Sequence, residues 1–382
     1  MRFKMTMKKL KRGKKKYSPR GRKSDAQSLQ MIRTLLGGEV FQRDLLLEYL
    51  HTIQDSFSHL SAKHLVALAE LMKLSIVEVY EVASFYHHFD VVDNNEIPPP
   101  TLTIRVCDSI SCQMNGAESL IEQLESETSD QVLRIQRVPC VGRCDKAPIA
   151  VVGQKPIAFA NIEQINNVLE IEDYDAPAPD VFTFEKHRDL GGYRFISKLQ
   201  QDFNEEKKEE IISKLETANL RGLGGAGFPV GQKWRIVSAQ TAPRIMVVNI
   251  DEGEPGTFKD LHYLETDPHK FIEGMLIAAL TVGIDKIYIY IRDEYPAHHK
   301  LLKTEIDKLQ NDSCCEISEI HIRRGAGAYI CGEESAMIES IEGKRGMPRL
   351  RPSQTINRSV IQKYKHDLRH YGKLIHSMIK QG

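Results

Sequence analysis

Four cysteines in two closely spaced pairs constrain the fold of the middle of this chain. The first pair is separated by four residues and the second by three; they are Cys107 with Cys112, and Cys140 with Cys144. Each pair follows a predicted strand, Thr101–Val106 or Val132–Val138, where apolar residues alternate or cluster. Four thiolates on two loops at strand ends make a soft-ligand site of the kind that an iron–sulfur cluster needs.

Two other readings of the cysteines are weaker. Structural zinc sites usually pair cysteines two residues apart in short knuckles, which is not the spacing here. A disulfide framework is typical of small secreted scaffolds, whereas this chain has 382 residues and seven cysteines. The spacing therefore favours a redox-active cluster.

Charge is distributed unevenly along the chain. Residues 1–24 hold twelve Lys or Arg and no acid, so the remaining residues carry a net charge of −12 in a chain that is neutral overall. The segment 1–27 is predicted to be a disordered basic tail, because it lacks the interleaved aromatics expected of a nucleic-acid-binding arm. The sequence contains no run of 18 apolar residues, so it predicts no transmembrane segment. We expect a cytoplasmic protein without a nucleic-acid partner.

The periodicity of apolar residues divides the chain into segments. Residues 28–98 predict a helical bundle, in which Leu46, Leu50, Ile53, Phe57 and Leu60 recur at helical steps. Ser75 and Glu78 predict a capping box at the start of a helix that runs through Phe85. Residues 99–172 read as a strand and helix domain that carries the cysteines, and residues 173–215 as a linker and a helix.

A glycine-rich loop opens the second half of the chain. It runs from Arg221 to Trp234 and has glycines at 222, 224, 225, 227 and 231. Backbone N–H groups of such a loop can close on an anion, and Lys233 supplies a charge for a phosphate. A flexible surface loop is the alternative reading, which the embedded Phe-Pro and Lys-Trp pairs disfavour.

Two further loops follow predicted strands. The loop Asn249–Asp260 packs four acids around two glycines, so its side chains suit hydroxyl, amide or ring N–H groups better than phosphate. Its acids Asp251, Glu252 and Glu254 also resemble ligands of a hard metal ion. The loop Gly325–Ser335 is predicted to open a helix through Met337 and Ile341.

These segments together resemble two subunits of respiratory NADH dehydrogenase. VCDSISC and VPCVGRCDKAPIA resemble its thioredoxin-like 2Fe-2S subunit. LRGLGGAGFPVGQKW, VVNIDEGEPGTFKD, DPHKFIEGMLIAA and RRGAGAYICGEESAMIESIEGKRGMPRLRP resemble its FMN- and NADH-binding subunit. The fusion of both is similar to the beta subunit of NAD-dependent formate dehydrogenases and to the diaphorase chain of NAD-reducing hydrogenases. The segments VNIDEGEPGTFKD, IYIRDEYP and RGLGGAG fit the formate dehydrogenase type best.

The resemblance, which runs from about residue 28 to Pro352, implies the following sites. The 2Fe-2S cluster would be held by Cys107, Cys112, Cys140 and Cys144. FMN and NADH would be bound by Gly222, Gly224, Gly225, Gly227, Phe228, Lys233, Asn249, Asp251, Glu252, Glu254, Tyr329, Gly332, Glu333 and Glu334. No catalytic base is implied, because a hydride passes directly between the nicotinamide and flavin rings. An acid at 333 or 334 beside the adenosine ribose would select NADH over NADPH, which the activity ratio of Gln variants tests.

The chain departs from the family after Pro352. The family continues through a Pro-Phe-Pro segment, an Asn-Asn pair and four cysteines for a 4Fe-4S cluster, whereas residues 353–382 contain no cysteine. We therefore expect an incomplete FMN/NADH-binding domain over 216–352, an aberrant tail over 353–382 and no 4Fe-4S ligands.

The expected fold class is α/β, with a helical N-terminal bundle, a thioredoxin-like 2Fe-2S domain over 99–172 and a Rossmann-like FMN/NADH-binding domain. The expected function is that of an oxidoreductase: the electron-transfer (diaphorase) subunit of an NAD-dependent formate dehydrogenase. Its expected partner is a molybdenum- or tungsten-pterin catalytic subunit, with other electron-transfer subunits possible. The alternatives are a module of respiratory complex I or of an NAD-reducing hydrogenase, an inactive remnant that keeps only the 2Fe-2S module, and a zinc-stabilised scaffold.

Overall fold

The computed structural model describes residues 23–127, 133–312 and 314–350. Most of the basic tail expected over 1–27, and all of the tail expected over 353–382, lie outside these described residues. The described residues form a helical N-terminal part, a four-stranded sheet with helices and a three-stranded sheet with helices. This architecture confirms the α/β fold class.

Four helices build the N-terminal part: α1 (Ala26–Leu36), α2 (Leu46–Phe57), α3 (Ala62–Met72) and α4 (Ile76–Ala83). The predicted capping box is confirmed, since the Ser75 hydroxyl accepts the backbone N–H of Glu78 and the Glu78 carboxylate accepts the backbone N–H of Ser75. The two reciprocal bonds satisfy backbone donors that the first turn of α4 would otherwise leave free.

Two of the predicted helices, α2 and α4, end earlier than expected. Helix α2 stops before Leu60 because Ser58 adopts a left-handed conformation, with φ of 60°. Leu60 instead belongs to β1 (Leu60–Ser61), which pairs in parallel with β2 (Val91–Val92). Helix α4 ends at Ala83, so Phe85 lies beyond it.

The cysteine-bearing segment folds around a mixed sheet with its own apolar core. Its strands are β3 (Thr103–Cys107), β4 (Arg134–Val138), β5 (Ala150–Val152) and β6 (Lys155–Ile157), and its helices are α5 (Ile110–Gln113), α6 (Ala117–Glu127) and α7 (Ile162–Ile171). The strand order is β4-β3-β5-β6, with β3 and β4 parallel and the other pairs antiparallel. The parallel pair brings the two cysteine loops to the same edge of the sheet.

The segment after this sheet is more helical than a linker. It contains α8 (Phe184–Asp189), α9 (Arg194–Gln201) and α10 (Glu205–Thr217). The one helix expected in this segment is divided, because the Asn204 side chain accepts the backbone N–H of Lys207 and so starts a new helix.

The last part is built on a fully parallel sheet with the order β7-β8-β9. Its elements are α11 (Val230–Ser238), β7 (Ile245–Ile250), α12 (Lys259–Thr266), α13 (Pro268–Val282), β8 (Lys286–Ile291), α14 (Pro296–Asp312), β9 (Glu319–Arg324) and α15 (Glu334–Ile341). Because the strands are parallel, the loops that follow them lie at one edge of the sheet, where open α/β sheets usually bind ligands. The helix expected through Met337 and Ile341 is α15.

The two faces of the parallel sheet pack against different parts of the chain. Ile289 and Ile291 lie in a core that this part builds with its own helices. Tyr290, which points to the opposite face, belongs with Leu50 and Met337 to a core shared with helices α1–α4. Among the described helices, none combines the length and apolar composition that crossing a bilayer requires.

We expect Leu50→Ala to destabilise the parallel-sheet part as well as the helices. Leu50 is fully buried in the shared core, so the truncation should cost about 2–5 kcal/mol. The only tryptophan of the chain, Trp234 on α11, reports on the parallel-sheet part during denaturant unfolding. The midpoint from Trp234 fluorescence should fall together with that from circular dichroism. An unchanged fluorescence midpoint would contradict a shared core, and Leu190→Ala at an exposed site serves as the control.

Candidate functional site

The structure brings the four predicted cysteines together at one edge of the mixed sheet. Cys107 ends β3, Cys112 lies in α5, Cys140 follows β4 and Cys144 opens a short 3-10 turn. The sulfur atoms of Cys140 and Cys144 are 3.3 Å apart, and the Cys107 thiol contacts those of Cys112 and Cys140. Cys144 is partly exposed, whereas the other three side chains are buried.

Backbone N–H groups point at this cysteine set. The amide of Gly142 donates to the Cys140 sulfur at 3.4 Å, and the amide of Gly256 donates to the Cys144 sulfur at 3.2 Å. Gly142 has φ of +77°, and a Cβ there would lie 2.1 Å from the Tyr295 hydroxyl oxygen, so only glycine fits. Four convergent sulfur donors with amide donors around them fit a 2Fe-2S cluster, whose potential such hydrogen bonds tune.

Without metal, the thiols of Cys107 and Cys140 favour the protonated form, whereas contact with Cys107 lowers the pKa of Cys112. Contact with Cys112, the largest influence, raises the pKa of Cys107 to about 11. Contact with Cys107, followed by burial, raises the pKa of Cys140. A metal that binds here must therefore displace these protons, and thiolate–metal bonds are strong enough to do so.

A buried arginine connects the cysteine loops to the acidic loop of the parallel sheet. Arg292, which follows β8, donates to the backbone carbonyl of Cys140 at 2.5 Å and also to the backbone carbonyl of Glu252. The hydroxyl of Tyr295 lies 3.2 Å from the carbonyl oxygen of Gly142 and 3.3 Å from the Glu252 carboxylate. Sequence analysis assigned no role to Arg292 or Tyr295, although both belong to the segment IYIRDEYP that supported the resemblance.

The loops that follow β7 and β9 contact each other directly. The side-chain amide of Asn249 donates to the Gly332 carbonyl at 2.9 Å, and the Asn249 side-chain oxygen accepts the backbone N–H of Asp251 at 3.0 Å. The Tyr329 hydroxyl donates to the Glu254 carboxylate. The structure thus brings five of the predicted cofactor residues together at the carboxyl edge of the sheet.

Asp251 has an unsatisfied carboxylate oxygen in this group. Its Oδ2 atom is buried without a hydrogen-bond partner, and burial raises the pKa of the carboxyl to about 7. A buried polar atom that lacks a partner is costly unless a ligand or water completes it. Asp251 is therefore the acid of this loop that best fits a contact to a bound cofactor.

Two of the predicted cofactor acids cap helices instead. The carboxylate of Glu252 accepts the backbone N–H groups of Asp260 and Leu261 at the start of α12, at 2.9 and 3.2 Å. The carboxylate of Glu333 accepts the backbone N–H groups of Ser335 and Ala336 at the start of α15, both at 2.9 Å. A role for these acids in cofactor binding stays a prediction.

The hard-metal alternative for the acidic loop finds no support in the described part of the chain. The Glu252 carboxylate accepts a hydrogen bond from the start of α12, and the Glu254 carboxylate accepts one from the Tyr329 hydroxyl. The carboxylates of Asp251, Glu252 and Glu254 therefore do not converge on one point.

The glycine-rich loop is a hairpin that leads into α11. The amide of Gly222 donates to the Phe228 carbonyl at 3.0 Å, and Arg221 pairs with Pro229. Gly225 and Gly227 have φ of +66° and +58°, and the Cβ positions built at Gly224, Gly225 and Gly227 face open space. The loop therefore offers exposed backbone beside an empty region, as a phosphate cradle requires.

The remaining predicted residues of this loop are also exposed. Lys233 lies on α11 and is exposed, and the ring of Phe228 is 44% exposed. The hydrogen bonds described above for this loop join residues of the loop itself. That the loop lies near the other two loops is therefore inferred from the order of the helices and strands. Helix α11 precedes β7 through a short connection, which puts the start of the helix towards the carboxyl edge of the sheet.

A cavity of about 90 Å³ lies between the cysteine loops and the parallel sheet. It is lined by Cys140 from the cluster side, by Asp251 and Tyr329 from the predicted cofactor loops, and by Arg105, His88 and Asp293. The candidate site therefore includes a cavity that reaches from the cysteine set to the predicted flavin-binding loops.

Comparison with known proteins assigns both halves of the site. Residues 32–172 match the thioredoxin-like 2Fe-2S ferredoxin family, and residues 215–362 match the Nuo51 FMN-binding domain. The second match extends past Pro352 into residues outside the described part of the chain.

Two relatives match very different shares of the chain. The chain is 32% identical over 371 residues to the NAD-reducing hydrogenase HoxS subunit alpha of Cupriavidus necator, covering 87% of this chain and 61% of the relative. It is 42% identical over 193 residues to an NADH-quinone oxidoreductase subunit of Aquifex aeolicus, covering 48% of this chain and 44% of the relative.

A solved structure shares the fold over most of the chain. The crystal structure of an NAD⁺-reducing NiFe-hydrogenase in the air-oxidised state matches with a TM-score of 0.67 and 31% identity, covering 81% of this chain and 56% of that one. The chain thus spans about half of the length of the proteins it matches. It joins a thioredoxin-like 2Fe-2S domain to an FMN-binding domain of the Nuo51 type in one polypeptide.

Proposed function

We propose that this chain is an electron-transfer (diaphorase) module that moves electrons between NAD(H), FMN and a 2Fe-2S cluster. The observation that carries the proposal is the hydrogen bond of 3.2 Å from the amide of Gly256, in the loop after β7, to the sulfur of Cys144. A predicted cluster ligand and a predicted flavin-binding loop are in direct contact, as short-range electron transfer requires.

The residues around the open region support the binding of FMN. The exposed backbone of Gly224, Gly225 and Gly227 would hold the phosphate, with Lys233 as a further charge. Asn249 and Asp251 would hold polar atoms of the ring system. The exposed rings of Phe228 and Tyr329 offer flat apolar surfaces for stacking. Bound FMN supplies the exchange between two-electron hydride chemistry and one-electron transfer.

Substrate binding would need orientation rather than acid–base chemistry from the protein. Hydride transfer depends on holding two rings in contact and keeping water out, so stacking surfaces and fixed loops suffice. The loops here are fixed by the contact of Asn249 with Gly332 and that of Tyr329 with Glu254. Because the Glu333 carboxylate caps α15, selection of NADH over NADPH would rest mainly on Glu334.

The partner proposal is a formate dehydrogenase with a molybdenum- or tungsten-pterin catalytic subunit. It is supported by the segments VNIDEGEPGTFKD and IYIRDEYP, and a cytoplasmic location goes with it as a prediction. The second candidate is an NAD-reducing hydrogenase, because the relative matched over 87% of this chain bears that name. A module of respiratory complex I and a remnant that holds the cluster but no flavin are the further alternatives.

The cluster and its coupling to NADH are tested by Cys140→Ser. We expect the wild-type protein to contain iron and acid-labile sulfide, and to show a reduced-cluster signal in electron paramagnetic resonance after NADH is added. Cys140→Ser removes one of four sulfur ligands and should lose both sulfide and signal, whereas Cys314→Ser, outside the set, should keep them. Zinc without sulfide would support the scaffold reading, and a cluster that NADH leaves oxidised would refute the module.

Asp251 should make FMN affinity depend on pH. If the ionised carboxylate accepts a flavin N–H group, binding favours the deprotonated form of a group whose pKa is about 7. Affinity should then rise with pH, by up to about tenfold per unit below pH 7, and level off above it. Fluorescence quenching of FMN measures this, and Asp251→Asn, which cannot ionise, should give a flat profile. A wild-type affinity that falls with rising pH would contradict the assigned role.

The partner is identified by isolating the tagged chain with its natural complex. We expect the complex to contain molybdenum or tungsten and to reduce NAD⁺ with formate. Nickel in the complex together with hydrogen-dependent NAD⁺ reduction would instead assign the hydrogenase alternative. A complex that responds to neither donor would exclude both.

A further inference from the structure

Three side chains that the proposed function does not use converge at the junction between the helical part and the parallel sheet. His51 lies on α2, His88 follows α4 and Asp293 lies two residues after the end of β8. One potential metal-ligand atom from each side chain lies within 4.8 Å of the other two. They are separate from the cysteine set and from the predicted flavin residues, although His88 and Asp293 line the cavity described above.

The hydrogen bonds of His51 leave one ring nitrogen with a free lone pair. Its Nε2 atom is 2.9 Å from the backbone carbonyl oxygen of Gly325, which can only accept, so Nε2 carries the proton. Its Nδ1 atom is buried and has no hydrogen-bond partner. His51 is therefore a neutral imidazole with a buried, unused lone pair, which is the form that binds metals.

His88 has the same arrangement with a carboxylate in place of the carbonyl. Its Nδ1 atom is 2.6 Å from Oδ2 of Asp293, while its Nε2 atom is buried without a partner. The carboxylate thus accepts the Nδ1 proton, fixes the ring and leaves Nε2 for a ligand. Metal-bound histidines are usually oriented in this way.

The spacing of the two rings also suits a shared ion. Their centroids are 4.9 Å apart and their planes are tilted by 47°. Two imidazoles that bind one zinc ion at about 2.1 Å with a tetrahedral angle have ring centres about 5 Å apart. The backbone holds this spacing, because the amide of His88 donates to the carbonyl of Ala326 at 3.1 Å.

The charges nearby do not prevent the binding of a cation. The guanidinium of Arg324 is paired with Asp293 and with Asp55, both at 2.6 Å. Arg105 also faces Asp293 and adds positive charge from the cysteine-bearing domain. Arg324 is thus balanced by two carboxylates, and the adjoining cavity has room for water to complete the coordination of an ion.

We propose that His51, His88 and Asp293 form a binding site for a divalent transition-metal ion of the zinc type. His51 Nδ1 and His88 Nε2 are the nitrogen ligands, and Asp293 orients His88 and supplies the carboxylate beside the ion. Because His51 belongs to the helical part and Asp293 to the parallel sheet, the ion acts as a structural clamp between them. This site is independent of the proposed electron transfer.

The test is zinc uptake by the protein that carries its cluster and flavin. After equilibrium dialysis against micromolar zinc, we expect about one zinc per chain in the wild type, in addition to the iron. His88→Gln should lose this zinc, and His87→Gln, which alters the exposed neighbouring histidine, should keep it. Acid-labile sulfide is measured in every sample, so that zinc in an empty cysteine set is recognised.

Two measurements on the wild-type protein, X-ray absorption and thermal stability, test the proposal even if a variant does not fold. Zinc-edge X-ray absorption of the wild type should show only nitrogen and oxygen ligands, and one equivalent of zinc should raise the melting temperature in a way that a chelator reverses. No uptake by the wild type would overturn the proposal. Equal uptake by His88→Gln, or sulfur among the zinc ligands, would overturn it as well.

Discussion

The buried guanidinium of Arg292 holds the two redox-related halves of the molecule together. It donates to the backbone carbonyls of Cys140 and Glu252 and to the carboxylate of Glu294, which is 2.9 Å from its Nε atom. Burial alone would lower the pKa of this group, but Glu294, Tyr295 and Asp251 together outweigh burial and raise it, so the charge is retained. A buried charge is tolerated only when it is paired and hydrogen-bonded, and every donor that Arg292 uses ends on one of the two loops or on Glu294. The cysteine loop and the acidic loop are therefore fixed relative to each other.

The shared apolar core also fixes the helical part against the parallel sheet. Tyr290 reaches from the middle of β8 into the core of α1–α4, and its hydroxyl lies 2.9 Å from the Ser340 hydroxyl, which also contacts Tyr86 at 2.9 Å. One face of the parallel sheet is thus completed by the N-terminal helices rather than by its own domain. The fusion of the two halves in one chain is consistent with such an interface, because neither half would bury that face alone.

Sequence reasoning identified the residues whose chemistry is local. The cysteine pairs follow strands, and the capping box of Ser75 and Glu78 needs only three residues, so both could be read directly from the sequence. Contacts between distant segments could not. Arg292 and Cys140 are 152 residues apart, and His51 and Gly325 are 274 residues apart. The pairing of such residues depends on how two domains pack, which periodicity and spacing do not encode.

The acids of the loop after β7 show why the cofactor site was only partly predictable. A sequence of acids around glycines predicts polar contacts, but it does not say whether a ligand or a helix start receives each carboxylate. Free backbone N–H groups at the start of α12 compete for a carboxylate as strongly as a ribose hydroxyl does, and Glu252 satisfies two of them. Glu254 is taken by the hydroxyl of Tyr329. Asp251 keeps a buried oxygen without a partner. Accounting for every donor thus reduces three candidate acids to the one whose burial only a ligand or a water can compensate.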